Sequence, residues 1–120
     1  MSNFSKTGAA LLNYVNRSYC KKIIILLPGQ THPEHFHKIK EETFFVVFGS
    51  MQISLNGVLT TAKSGDTVLV EPGTKHWFST TEGVIFEEIS SKHFPSDSFY
   101  TDINITSSTN RKTLVTYWFE

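Results

Sequence analysis

Three histidines and one glutamate are spaced so that they can meet at one metal ion. His35 and His37 flank Phe36, Glu42 follows shortly after, and His76 lies in a second segment. Residues two apart on a strand point to the same face, so His35 and His37 stand side by side with Phe36 turned away. By the same parity Glu42 shares a side with Phe44, Val46 and Phe48, and His76 shares one with Phe78. Neutral imidazoles and a carboxylate suit iron, manganese, nickel or zinc. Three nitrogens and one carboxylate leave room for water or substrate on an octahedral ion, and an open position separates a catalytic site from a structural one. A lone His on a strand is ordinarily a surface or satisfied core residue, and an H-x-H pair alone is a weak signal. The full spacing carries the inference. His32 and His93 lie in turn or loop sequence and fit no ligand pattern.

Short β-elements between turn signals must position these residues. Ile23–Leu27 is a continuous apolar run closed by Pro28-Gly29, and Glu34–Lys38 carries the H-x-H. Phe44–Phe48 is apolar on both faces, which predicts a central strand buried on both sides. Asn56-Gly57 is a tight-hairpin signal with Gln52–Leu55 and Val58–Ala62 as its arms. Thr67–Val70, His76–Thr80, Val84–Ile89 and Leu114–Phe119 complete a set of about nine strands with no convincing helix among them, a pattern of an all-β sandwich or barrel. Residues 1–20 form an N-terminal segment, read as a short helix or an outer strand. Residues 21–120 form the β-domain, with a long polar loop at about 91–112.

The chain has 120 residues, enough for one domain. Eleven basic residues balance eleven acidic ones, so nothing in the charge favours nucleic acid or an anionic membrane. The longest apolar run is far too short to span a bilayer. Cys20 is the single cysteine, so no intrachain disulfide forms. It reads as a small, partly buried residue beside a strand, and a reducing cytoplasm is the expected location.

On these residues the chain resembles the cupin superfamily. Gly29, His35, His37, Glu42 and Gly49 match the first cupin motif in full. Glu41 also meets a shorter spacing, but Glu42 alone leaves the motif's gap before Gly49. Gly65, Gly73 and His76 match the second motif. That motif departs at Glu71, where the family has Pro, and at Thr80, where it has Asn. Neither is a ligand in the family pattern. The resemblance implies a single-domain antiparallel β-barrel, the double-stranded β-helix or jelly roll, holding one divalent metal on His35, His37, Glu42 and His76. Cupins include isomerases, epimerases, decarboxylases, dioxygenases and sugar-binding proteins, so the fold does not choose among them. The stretch from Phe86 to Asp102 further resembles sugar-handling cupins: mannose-6-phosphate isomerase-like, lyxose isomerase-like and sialic-acid-synthase-associated domains.

Isomerisation of a sugar with the metal as Lewis acid is therefore the leading expectation. A sugar-binding accessory domain and an iron-dependent dioxygenase are the alternatives. Isomerisation needs a base near the carbon that loses its proton. Glu87 and Glu88 both sit among apolar neighbours, and parity does not decide which faces inward. Similarity to the sugar-isomerase pattern favours Glu88; the plainer reading is two rim carboxylates. Tyr100 and Arg111 can contact a sugar hydroxyl or a phosphate, although an Arg in polar sequence is ordinarily solvated. Lys75, on a turn before His76, can meet an anionic group or simply solvate the turn. The two-sided apolar character of Phe44–Phe48 points to cover by another sheet or subunit, and similarity to small paired cupins makes a homodimer the expected assembly.

Overall fold

The computed structural model describes residues 9–102 and the backbone of 115–118. Among the described residues ten strands follow one another: β1 Ala10–Asn16, β2 Tyr19–Leu26, β3 Thr31–Phe36, β4 Glu42–Leu55, β5 Val58–Lys63, β6 Thr67–Val70, β7 His76–Ser79, β8 Val84–Ser91, β9 Phe99–Tyr100 and β10 Val115–Trp118. They are hydrogen-bonded in the order β10-β1-β2-β8-β4-β7-β3-β9, with β5 and β6 also paired to β4. All pairings are antiparallel except that of β1 with β10.

One long strand makes the jelly roll. Residues Glu42 to Gly49 of β4 pair with β8, and Gln52 to Leu55 pair with β7. The strand thus crosses from one sheet to the other. A register shift between Val46 and Phe48 bends it. Gly49 has a φ of 80°, and a Cβ there would overlap the Gly83 carbonyl. Only glycine allows that approach. The Asn56-Gly57 hairpin turn has positive φ at both residues, as a type I′ turn demands.

Interior positions follow the two-residue period and then change character. In β2 the buried residues are Cys20, Lys22, Ile24 and Leu26; in β8 they are Val84, Phe86, Glu88 and Ser90. Cross-strand register aligns these into rows. Leu11, Ile24, Phe86 and Val46 form one apolar row. The next contains Asn13, Lys22, Glu88 and Phe44, and the third contains Asn16, Cys20, Ser90 and Glu42. Phe44, Phe78 and Phe86 pack with ring centroids 5.0 to 5.8 Å apart and floor the polar end. Burial also pushes the Cys20 thiol up, so it stays protonated and unreactive.

Several expectations change. Residues 10–16 take the strand form of the two read for the N-terminal segment, while β2 runs across the expected boundary at residue 20. The long loop is interrupted by β9, and its part beyond 102 lies outside the described residues. Phe44–Phe48 is not covered on both sides: Phe44 and Val46 are buried, while Phe45, Val47 and Phe48 are 38%, 45% and 66% exposed. One barrel supplies only one covered face.

Candidate metal centre

His35 is on β3 and His76 is its cross-strand partner at the start of β7. His37 lies one residue beyond Phe36, where β3 ends. Their ring centroids are 4.2 Å (His35 to His76), 5.0 Å (His35 to His37) and 5.6 Å (His37 to His76) apart. One nitrogen from each lies within 4.8 Å of the others.

Backbone carbonyls fix the tautomer of all three. His35 Nδ1 donates to Pro33 O at 3.0 Å, His37 Nδ1 to Asp97 O at 2.7 Å, and His76 Nδ1 to Thr74 O at 2.9 Å. A carbonyl oxygen only accepts, so Nδ1 carries the proton and Nε2 keeps its lone pair for a cation. Glu42 Oε1 lies 3.4 Å from His37 Nε2 and 3.3 Å from His76 Nε2. These three atoms are buried and have no hydrogen-bond partner. Buried polar atoms are almost always satisfied, and orphans that converge fit a ligand set for an ion. The residues therefore fit a divalent metal.

The electrostatics agree with that fit. Burial, reinforced by His32, His76 and His37, keeps the His35 imidazole neutral by lowering its pKa well below the usual value. Burial acts against the Glu42 carboxylate, but Lys40 and the His37 and His76 rings overcome it and hold its pKa well below the usual range. Burial likewise opposes charging of His76, but the Glu42 carboxylate outweighs it and raises the imidazole's pKa, marking a place that favours positive charge.

A second charged group adjoins the ligands. Lys40 Nζ lies 3.1 Å from Glu88 Oε2, 3.4 Å from Glu42 Oε2 and 3.3 Å from His93 Nδ1. Burial would neutralise this lysine; the two carboxylates outweigh it and keep the ammonium charged. Glu88 is 3% exposed and faces inward, whereas Glu87 faces out and meets Lys21 at 3.6 Å. Tyr100 lines the same cavity, of about 480 Å³. Lys75 is exposed and does not line it; its backbone N–H donates to the Asn56 side chain. Arg111 lies outside the described residues.

The motifs alone did not reveal Lys40, His32, His93 or Asp97. A bulge between His32 and His35, at Pro33-Glu34, brings His32 onto the His35 side, with centroids 4.7 Å apart. Burial, then His76, pulls the His32 pKa down to about 4. It stacks on Phe78 at 4.8 Å. Pro33, lacking an N–H, was the available signal for the bulge. Asp97 is buried, and its carboxylate accepts from the backbone N–H groups of Lys38, Ile39 and Lys40 at 2.9 to 3.2 Å. Its own carbonyl orients His37. Asp97→Ala leaves those three donors without their acceptor, and a cost of about 2–3 kcal/mol is expected. Thermal unfolding should shift down by several degrees, and metal affinity should fall about tenfold or more as His37 and Lys40 lose their fixed loop.

A cupin domain model matches residues 22–87, more than half of the chain. The chain belongs to the cupin family. Solved cupin-type folds superpose on it: a Klebsiella pneumoniae protein with a double-stranded β-helix domain gives a TM-score of 0.66 at 22% identity, covering 71% of this chain and 77% of that one. Among curated relatives, this cupin is 31% identical to a D-lyxose/D-mannose isomerase of Thermosediminibacter oceani, over 88% of this chain and 74% of the relative. It is also 31% identical to a D-lyxose ketol-isomerase of Cohnella laeviribosi, over 85% of this chain and 72% of the relative. No helix among the described residues is long and apolar enough to cross a membrane.

Proposed function

We propose that this cupin is a divalent-metal-dependent aldose–ketose isomerase acting on a small sugar of the D-lyxose or D-mannose type. The observation that carries the reading is one cavity lined by His35, His37 and Glu42, which meet His76 behind them, and by a buried Lys40–Glu88 pair. Similarity to D-lyxose isomerases supplies the substrate class. The cavity volume falls within the usual range for small-molecule sites, about 300–1,000 Å³.

His35, His37 and His76 through Nε2, and Glu42 through Oε1, would hold the ion. A bound divalent cation supplies Lewis-acid stabilisation of the negative charge that develops on sugar oxygens. Glu88 is the base: it takes the proton from C2 of the aldose and returns it to C1, while the O2 hydroxyl proton is transferred to O1. Lys40 Nζ and Ser90 Oγ both donate to Glu88 Oε2, each at 3.1 Å. Those donors orient the carboxylate and leave Oε1 to meet the sugar. Phe44, Phe78 and Ile24 line the same space and exclude bulk water from it.

The test is turnover of D-lyxose to D-xylulose by the purified chain, stripped and then reloaded in parallel with Mn²⁺, Fe²⁺, Ni²⁺ or Zn²⁺. Ketose formation that returns with at least one metal is expected. Sugar binding without turnover would replace this reading by a sugar-binding accessory domain, and oxygen uptake with iron would replace it by a dioxygenase.

We further propose that the outer face pairs with a second copy of the chain in the cytoplasm. Phe45, Leu69 and Ile89 are exposed on that face beside the Lys21–Glu87 pair. A patch that carries both charges is self-complementary about a two-fold axis, and the chain's zero net charge adds no repulsion between copies. Light scattering should give twice the chain mass, and Phe45→Glu should return it to the monomer with the metal still bound.

A further inference from the structure

We propose that Lys22 and Asn13 form a subsite that reads a hydroxyl at the end of the sugar chain remote from its carbonyl; this deepens the isomerase reading and rests on it. Both residues line the cavity that His35, His37, Glu42 and Glu88 also line, and they are 6% and 2% exposed. They are directly opposed on antiparallel β1 and β2, which sets their Cβ atoms about 5 Å apart. Lys22 is in turn the cross-strand partner of Glu88. One interior row therefore runs Asn13, Lys22, Glu88, Phe44, while the histidines stand on β3, just past its end, and on β7.

Neither residue is satisfied. Asn13 Oδ1 is buried and has no hydrogen-bond partner. Among the described residues the Lys22 ammonium has no hydrogen bond or ion pair, unlike Lys40 with its two carboxylates. A buried orphan such as Asn13 Oδ1 is costly, and beside it the Lys22 ammonium on the cavity wall has no protein partner among the described residues, so together they point to a ligand that completes them.

The donor and acceptor types select the ligand group. An ammonium only donates, and an amide oxygen only accepts. One hydroxyl answers both, accepting from Lys22 and donating to Asn13 Oδ1. A phosphate dianion can accept from Lys22 but has no proton for Asn13 Oδ1, and a methyl group serves neither. With the carbonyl end at the histidines and C2 beside Glu88, the chain end falls to Lys22 and Asn13. The preferred substrate is then an unphosphorylated sugar with its terminal hydroxyl intact.

The experiment is calorimetric titration of the Mn²⁺-loaded full chain with D-lyxose, 5-deoxy-D-lyxose and D-lyxose 5-phosphate. The wild type, Lys22→Met and Asn13→Leu are compared, with metal content measured for each. The wild type should bind D-lyxose roughly tenfold or more tightly than either analogue, because each analogue leaves a buried polar group unpaired. Both variants should keep their metal and bind D-lyxose no better than the deoxy sugar. Equal wild-type affinity for the deoxy sugar, tighter binding of the phosphate, or an unchanged preference in Lys22→Met would overturn the subsite. Discrimination that persists without any ketose formation would overturn the isomerase reading and leave the subsite standing. No binding of any of the three sugars would overturn both.

Discussion

His76→Ala is expected to give a folded barrel that holds no stoichiometric divalent ion and makes no detectable ketose. His76 is fully buried, and its Nε2 faces Glu42 Oε1 and the nitrogens of His35 and His37. Removing it takes away a quarter of the ligand set. Glu42→Gln tests the same centre differently: shape is kept and the negative charge is lost. Among the described residues Glu42 is the only acid paired with both His37 and His76, so this variant should lose affinity for the ion by a large factor. Metal content after reloading is one readout. Thermal stability is another, since an ion that binds only the folded state stabilises it by about 2.7 kcal/mol at a hundredfold excess over Kd. Wild-type protein should therefore melt several degrees higher with metal than after chelation, and His76→Ala should show no such difference. Equal metal content in wild type and both variants would move the metal elsewhere and remove the basis of the centre.

What could be foreseen in the sequence depended on whether the information was local. His35 and His37 lie on one short segment, and the cupin spacing ties Glu42 and His76 to them, so the meeting of these four side chains was legible. Asn56-Gly57 specified its hairpin through its own backbone preferences. The Lys40–Glu88 pair was not legible. Its members are 48 residues apart, and their meeting depends on the register of β4 against β8 and on a loop held by Asp97. Glu87 and Glu88 were ambiguous because both flank apolar residues; only the pairing of Glu88 with Lys22 and Phe44 puts it inside. Strict alternation failed at His32, because the bulge at Pro33-Glu34 resets the period. The apolar outer face of Phe44–Phe48 misled for another reason. Hydrophobic pattern marks an apolar surface, but not whether anything in the same chain covers it.

Glu88→Gln is expected to lower kcat about a hundredfold to ten-thousandfold while leaving metal content and sugar affinity close to those of the wild type. Gln matches the volume of Glu and still accepts from Lys40 Nζ and Ser90 Oγ, so the buried hydrogen bonds survive. It cannot take a proton from carbon. The distinguishing readout is isotopic: in D₂O the wild type should place deuterium on the carbon skeleton of recovered sugar, and the variant should not. Lys40→Met acts on the same proton transfer through orientation. It leaves Glu88 and Glu42 buried without the ammonium between them, so stability should fall along with kcat, by about 3–5 kcal/mol for a broken buried pair. Glu88→Gln thus separates the chemistry from the fold, and Lys40→Met couples them. If Glu88→Gln keeps wild-type turnover and deuterium exchange, the carboxylate serves only as the counter-charge of Lys40. The base must then be sought among the other groups that line the cavity, of which His93 lies closest to Lys40.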